Sequence, residues 1–275
     1  MLRVTGTVST DVYTHGHHES VLRSHRWRTV ENSAGYLVAA LEPGQRLLDV
    51  GCGPGTITLD LAARVSPGEV VGVDASAAVL GIARSAATEA GVTVDFRTGD
   101  AMARPFEDVS FDVVHAHQVL QHLTDPVAAL QEMRRVTRPG GVVAVRDADY
   151  AAMTWFPANP GLDEWLTLYH EVTTANGAEA DAGRRLVSWA MSAGFERDAL
   201  TAGSDVWCYT TPAERTWWSE VWAERVTSSA FARQAVAYGL ADDVALELLA
   251  EAWRTWGQAE DGWFAVLHGQ VLARV

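Results

Sequence analysis

The sequence of 275 residues predicts an α/β fold: a mostly parallel sheet of seven strands, helices on both faces, and a helical cap formed by C-terminal insertions. Three observations carry that prediction. Short runs rich in Val, Ile and Leu alternate with helical stretches through the first half of the chain, as in a sheet covered on both faces. The first run leads into Gly51-Cys52-Gly53-Pro54-Gly55, with a glycine at every second position, and a helix follows at once. The next two strands lead to acids, Asp74 and Asp100.

Taken in order, residues 1–25 are polar and carry His15, His17, His18 and His25. A helix is predicted over 27–41, ending at Pro43-Gly44. Strands follow at 46–50, 70–74, 93–97, 111–115 and 141–146. Ser76 is placed to cap a helix over 77–90 that stops at Gly91. Asp125-Pro126 opens a helix over 127–136, with proline in its first turn. Arg138-Pro139-Gly140-Gly141 reads as a stop before the fifth strand. Past Tyr150 the pattern loosens, with helices at 161–174 and 182–192 and a sixth strand at 200–209. Thr211-Pro212-Ala213-Glu214 is a capping box opening an amphipathic helix through Trp217, Trp218, Val221 and Trp222. A helix over 243–256 and an antiparallel last strand over 263–273 complete the chain. The expected organisation is one domain over 1–275, with a lid at 1–25, a core at 26–150 and cap insertions at 151–180 and 211–260.

Composition narrows the function. Hydrophobic residues make up 48% of the chain, with no apolar run of membrane-spanning length. Residues 1–20 lack the apolar stretch of a signal peptide, so the expected compartment is the cytoplasm. The net charge of -14 argues against a nucleic-acid partner, and the clusters Arg23, Arg26, Arg28 and Arg134, Arg135, Arg138 are short. Cys52 and Cys208 form no metal or redox spacing. Ten of the eleven tryptophans lie at or after Trp155, so the variable half is Trp-rich. That richness suggests a small apolar or aromatic substrate, although each of Trp217, Trp218 and Trp222 also fits the packed face of a cap helix.

The glycine bend is where chemistry is expected. Glycine lets the chain turn sharply and lets a ligand lie against the backbone, and the helix start beyond offers free N–H groups. A dinucleotide site wants G-x-G-x-x-G with a pyrophosphate on the helix end. Here the spacing is G-x-G-x-G. Asp74 is placed to accept from both hydroxyls of a ribose, and Asp100 to meet an adenine amino group. Glycines, acid and acid at successive strand tips resemble the class I S-adenosylmethionine (SAM)-dependent methyltransferases, the UbiE-like (methyltransferase domain 11/25) branch above all. The resemblance covers roughly residues 13–150.

The resemblance implies a Rossmann-like sheet and a SAM site. Gly51 and Gly53 would back the methionine part. Asp74, with Ala75 beside it, would take the ribose, while Asp100 and the Ala101 N–H would take the adenine. His117 and Gln118, at the fourth strand's tip, would lie near the sulfonium. Tyr13 and His18 would close over the methionine end, with Gly16 as a hinge. His117 or His18 would serve as base if the acceptor must lose a proton. His115 is expected to point into the sheet and His122 to bond a backbone carbonyl. No metal site is expected at the N-terminal histidines. The expected reaction is methyl transfer to a small, largely apolar metabolite, oxygen before carbon. A SAM-binding protein with another role, such as cyclisation, and an NAD-dependent oxidoreductase are the rivals. Monomer and homodimer both stay open.

Overall fold

The structure, a computed structural model, describes residues 12–16, 18–102 and 106–275. Residues 1–11 of the expected lid, and His17, lie outside the described residues. Helix α1 (Glu19–Arg26) leads into the sheet. Strands β1 (Leu47–Val50), β2 (Val70–Asp74), β3 (Asp95–Thr98), β4 (Phe111–His117) and β5 (Thr137–Ala148) are parallel, in the order β3-β2-β1-β4-β5. The sheet has eight strands rather than seven. The addition is the three-residue β6 (Thr154–Phe156), inside the expected first insertion. Strand β7 (Leu200–Tyr209) and β6 both pair antiparallel with β8 (Trp263–Arg274), which pairs antiparallel with β5. The chain leaves β1 toward β2 and later returns to its other side at β4. That reversal opens a crevice beyond the carboxyl ends of β1 and β4.

The crossover helices start where the sequence marks them. Helix α2 (Thr56–Val65) follows the glycine bend. Ser76 caps α3 (Ala77–Ala90) by accepting from the Val79 N–H, and Gly91 closes it. Asp125 caps α4 (Pro126–Val136), accepting from the Ala128 N–H at 2.9 Å. Two expectations are corrected. The helix over 27–41 is instead a π-helical turn at Val30–Ala34 and a 3-10 helix at Gly35–Ala40. Thr29 and Asn32 form a capping box that restarts the chain there, which leaves Trp27 and Arg28 outside any helix. The expected stop at residues 138–141 lies inside β5, where an irregular register beside β4 and a left-handed Gly140 absorb it.

The C-terminal helices build their own core. Helices α5 (Pro160–Ala175), α7 (Pro212–Ser228), α8 (Ala230–Ala237) and α9 (Asp243–Gly257) pack together, and α7 also meets α1. The shorter α6 (Leu186–Ser192) packs instead on α4, with the sheet. Trp165, Trp222, Trp253 and Trp256 are fully buried in this layer. Trp222 meets Trp165 edge-on at 4.5 Å and stacks on Trp253 at 5.6 Å. Helix α8 and helix α1 had no counterpart in the sequence reading.

Residues 12–16 enter this layer. Thr14 and His15 are buried, and Asn176 Nδ2 donates to Thr14 Oγ1 at 3.0 Å. The expected hinge at Gly16 is a packing point instead: its φ is +64°, and a Cβ there would come within 2.7 Å of Ala230 Cβ.

Trp222 joins α5, α7 and α9, so Trp222→Ala should lower the unfolding free energy by about 3–5 kcal/mol. Urea titration measures this, and a loss below about 1 kcal/mol would mean that the cap layer relaxes around the gap.

Candidate active site

A cavity of about 450 Å³ opens at the carboxyl ends of β1 to β4. Its floor is the glycine bend. Gly51 sits at φ +66°, and a Cβ there would fall 2.3 Å from a Val119 methyl, so no side chain fits. Gly53 is also left-handed, at φ +54°, and a Cβ on it would meet nothing nearer than His25 Nδ1, at 3.8 Å. The backbone there faces open space. Asp74 ties the bend together: Oδ2 accepts from the Gly53 N–H at 3.0 Å and Oδ1 from the Ser76 N–H at 2.8 Å. The carboxylate is thereby fixed at the cavity wall. Asp100, at the next strand tip, accepts from the Met102 N–H at 2.8 Å and lines the same cavity beside Ala101.

Beneath the floor, Asp49 and His115 are buried neighbours on β1 and β4. Asp49 Oδ1 lies 2.8 Å from His115 Nδ1, and Asp49 Oδ2 accepts from Thr58 Oγ1 at 2.5 Å. His115 therefore points into the sheet as expected. His122 differs from expectation. It lines the cavity, and its Nε2 lies 3.0 Å from Gln121 Nε2 rather than on a carbonyl. Burial lowers its pKa to about 3, with Arg28 and Arg225 adding to the effect.

Gln118 sits at the tip of the fourth strand with φ +53° and joins a chain of donors and acceptors. Arg28 Nη2 donates to Gln118 Oε1 at 2.6 Å. Gln118 Nε2 lies 2.8 Å from His268 Nε2, and His268 Nδ1 lies 3.1 Å from the Val266 carbonyl. A carbonyl only accepts, so His268 carries its proton on Nδ1 and takes the Gln118 amide proton at Nε2. The orientation of the amide follows at both ends.

His117 also lines the cavity, stacked on Trp207 at 5.7 Å. Its Nδ1 faces Arg28 Nη1 at 3.5 Å. A guanidinium only donates, which leaves the ring proton on Nε2. Burial, then Arg28 and Arg146, hold its pKa well below the ordinary histidine value. His117 is thus suited to donate a hydrogen bond and poorly suited to remove a proton.

Nine of the expected site residues line this one cavity: Tyr13, Gly51, Gly53, Asp74, Ala75, Asp100, Ala101, His117 and Gln118. Burial raises the Tyr13 phenol to about 12. His18 is the exception and is corrected. It lies outside the cavity lining and caps α1, its Nδ1 accepting from the Ser20 N–H at 3.2 Å. The sequence reading missed His25, Arg28 and His122. Arg28 had appeared only as part of a short basic cluster, and nothing in that spacing signals burial. Among the described residues, no group of three or more His, Cys, Asp or Glu is placed to hold a metal.

Comparison with known proteins shows the family. Residues 41–207 match the family model described as a methyltransferase domain. An uncharacterized methyltransferase of Schizosaccharomyces pombe is 34% identical over 268 residues, covering 94% of this chain and 95% of that protein. A demethylmenaquinone methyltransferase of Renibacterium salmoninarum is 37% identical over 54% of this chain and 57% of its own length. A putative methyltransferase of Bacillus halodurans shares the fold, with a TM-score of 0.56 at 21% identity over 87% of this chain and 96% of that one.

The low His122 pKa has a sign. Below its ordinary value of 6.5 the unfolded chain binds a proton that the folded chain refuses until about pH 3. Stability therefore falls as the pH drops through that window, by about 2 kcal/mol from this residue at pH 5. His122→Asn should flatten the slope of unfolding free energy between pH 7.5 and 5 by that amount. An unchanged slope would show that His122 protonates freely in the folded protein.

Proposed function

This chain belongs to the class I, UbiE-like family of SAM-dependent methyltransferases, and on that premise we propose that it moves a methyl group from SAM to a small, largely apolar metabolite. Oxygen is the first choice of acceptor atom and carbon the second. One observation supports the placement of SAM above the rest: the side-chain-free bend at Gly51 and Gly53, held by Asp74, opens directly on the cavity. A volume of about 450 Å³ is in the range of a small-molecule site.

In this reading Gly51 and Gly53 would back the methionine portion. Asp74 and Ala75 would hold the ribose, and Asp100 with the Ala101 N–H the adenine. Tyr13, His117 and Gln118 would lie at the methyl end. When bound, SAM supplies an electrophilic methyl on a sulfonium. An acceptor held opposite the sulfur would take that methyl in line, the electron pair of the carbon–sulfur bond staying on sulfur. The acceptor's proton, where it has one, leaves to water. The chain's own residues position the reactants and exclude water. The low basicity of His117 gives it the part of a neutral donor near the acceptor, and His18 has no part. No helix among the described residues is long and apolar enough to cross a membrane, and we place the reaction in the cytoplasm.

Calorimetry with SAM and with NAD tests the assignment: SAM should bind and NAD should not. Asp74→Ala should weaken SAM by roughly 1–3 kcal/mol, because ribose hydroxyls lose a charged acceptor and the bend loses its tie. An unchanged affinity would remove the ribose from that carboxylate. Mass spectrometry for S-adenosylhomocysteine separates methylation from a SAM-dependent cyclisation, which would leave the cofactor intact.

A further inference from the structure

A second, much smaller chamber of about 20 Å³ shares His25, Arg28 and Gln118 with the main cavity. It lies between α1, α7 and the antiparallel pair β7–β8. Two guanidiniums line it, Arg28 and Arg225. Arg225 is 4% exposed. Its Nη2 donates to Ser24 Oγ at 2.9 Å, and its guanidinium lies 4.5 Å from the Trp222 ring centre. Neither arginine has an ion-pair partner among the described residues. The phenols of Tyr13, Tyr150 and Tyr209 lie near both, the buried Asp147 is within electrostatic reach of Arg28, and burial lowers both pKa values.

Burying the Arg225 charge without a counter-ion is costly, and the half-buried guanidinium of Arg28 in the same chamber makes it worse. The chamber adds to that cost. Five of its lining residues carry a buried polar atom with no hydrogen-bond partner: Arg28 Nε, Arg225 Nε, Tyr209 Oη, Trp218 Nε1 and His15 Nδ1. Most of this set donates. The walls around it are flat: Trp27 meets Trp207 at 5.2 Å and Trp217 at 5.5 Å, and Tyr209 lies 5.9 Å from Trp27. Trp27 is 37% exposed, so the aromatic wall reaches the surface.

We propose that this chamber is the anchor for the methyl acceptor, and that the acceptor is an aromatic oxyanion, a ring bearing an ionised carboxylate or phenolate. The inference rests on the methyltransferase reading above and names its substrate class. A volume of about 20 Å³ admits the ionised group and not a ring. The oxyanion therefore sits between Arg28 and Arg225, and the ring extends along the tryptophans toward Gln118, where the two cavities meet. A cationic amine is disfavoured at the same place by the same two charges.

The test uses the whole protein saturated with S-adenosylhomocysteine, titrated calorimetrically with 4-hydroxybenzoate and 6-hydroxy-2-naphthoate, with methyl 4-hydroxybenzoate, with methyl 4-methoxybenzoate and with benzylamine. At least one acid should bind tenfold or more tightly than methyl 4-methoxybenzoate, and benzylamine should not compete. Methyl 4-hydroxybenzoate, titrated on either side of its phenol pKa, separates a phenolate anchor from a carboxylate anchor. Arg225→Met should weaken the acid at least tenfold, keep S-adenosylhomocysteine affinity within twofold, and leave the melting temperature of the ligand-free protein unchanged or higher. Arg225→Lys should keep part of the acid affinity. Binding of no acid, acid binding no tighter than the neutral ester, or full acid affinity in Arg225→Met would overturn the proposal. Failure of S-adenosylhomocysteine to bind at all would instead overturn the cofactor assignment.

Discussion

Two backbone N–H groups on one carboxylate set the working end of this protein. Asp74 reaches back from the tip of β2 to the Gly53 N–H and forward to the Ser76 N–H. The first bond holds the bend after β1 in a left-handed path open only to residues without a Cβ. The second fixes the start of the chain into α3. A single side chain thereby couples two strand tips at the point where the sheet reverses its winding. Strand β4 then adds its own tip on the other side of β1, and Val119 packs so closely on Gly51 that the two loops define each other. The cavity is what remains between them.

A second polar chain joins this core to the cap. Arg28 is held outside any helix because Thr29 restarts the chain, and it turns inward to the Gln118 amide. Gln118 passes the constraint to His268 on β8, and His268 to the Val266 carbonyl. Strand β8 also carries β7 and the tryptophan layer. The methyl end of the proposed SAM site and the aromatic wall of the acceptor chamber therefore share one hydrogen-bonded seam. Packing reinforces it, since His117 stacks on Trp207 and His15 sits among Tyr150, Tyr169 and Trp222.

Local chemistry explains which parts were legible in the sequence. Helix α3 and strands β2 and β7 match their predicted limits because a cap, a stop or a turn brackets each of them. The glycine bend and its two acids were readable because a positive φ and a strand tip leave a residue-type signature. The missing helix over 27–41 failed for an opposite reason: a periodic apolar pattern says nothing of a break made by the Thr29–Asn32 capping box, which leaves Arg28 to turn inward. His18 and His117 looked equivalent as bases, yet one caps a helix and the other is desolvated beside a guanidinium. Burial is a tertiary property, and histidine spacing does not encode it. Net charge is silent in the same way: the value of -14 argues against a nucleic-acid partner but does not show that Arg28 and Arg225 line one chamber.

That interior charge pattern has a chemical consequence. The cofactor's side of the cavity is lined by Asp49, Asp74 and Asp100, and the proposed acceptor's side by Arg28 and Arg225. A cationic cofactor suits the first and an anchored oxyanion the second. The anchored charge lies at the far end of the ring from Gln118, so it orients the acceptor and takes no part in the bond change. His117 and His122 are both poor bases, because burial and Arg28 disfavour their protonated forms. Any proton on the attacking atom is therefore not held by these histidines, and positioning of the two reactants is the protein's main contribution to the proposed step.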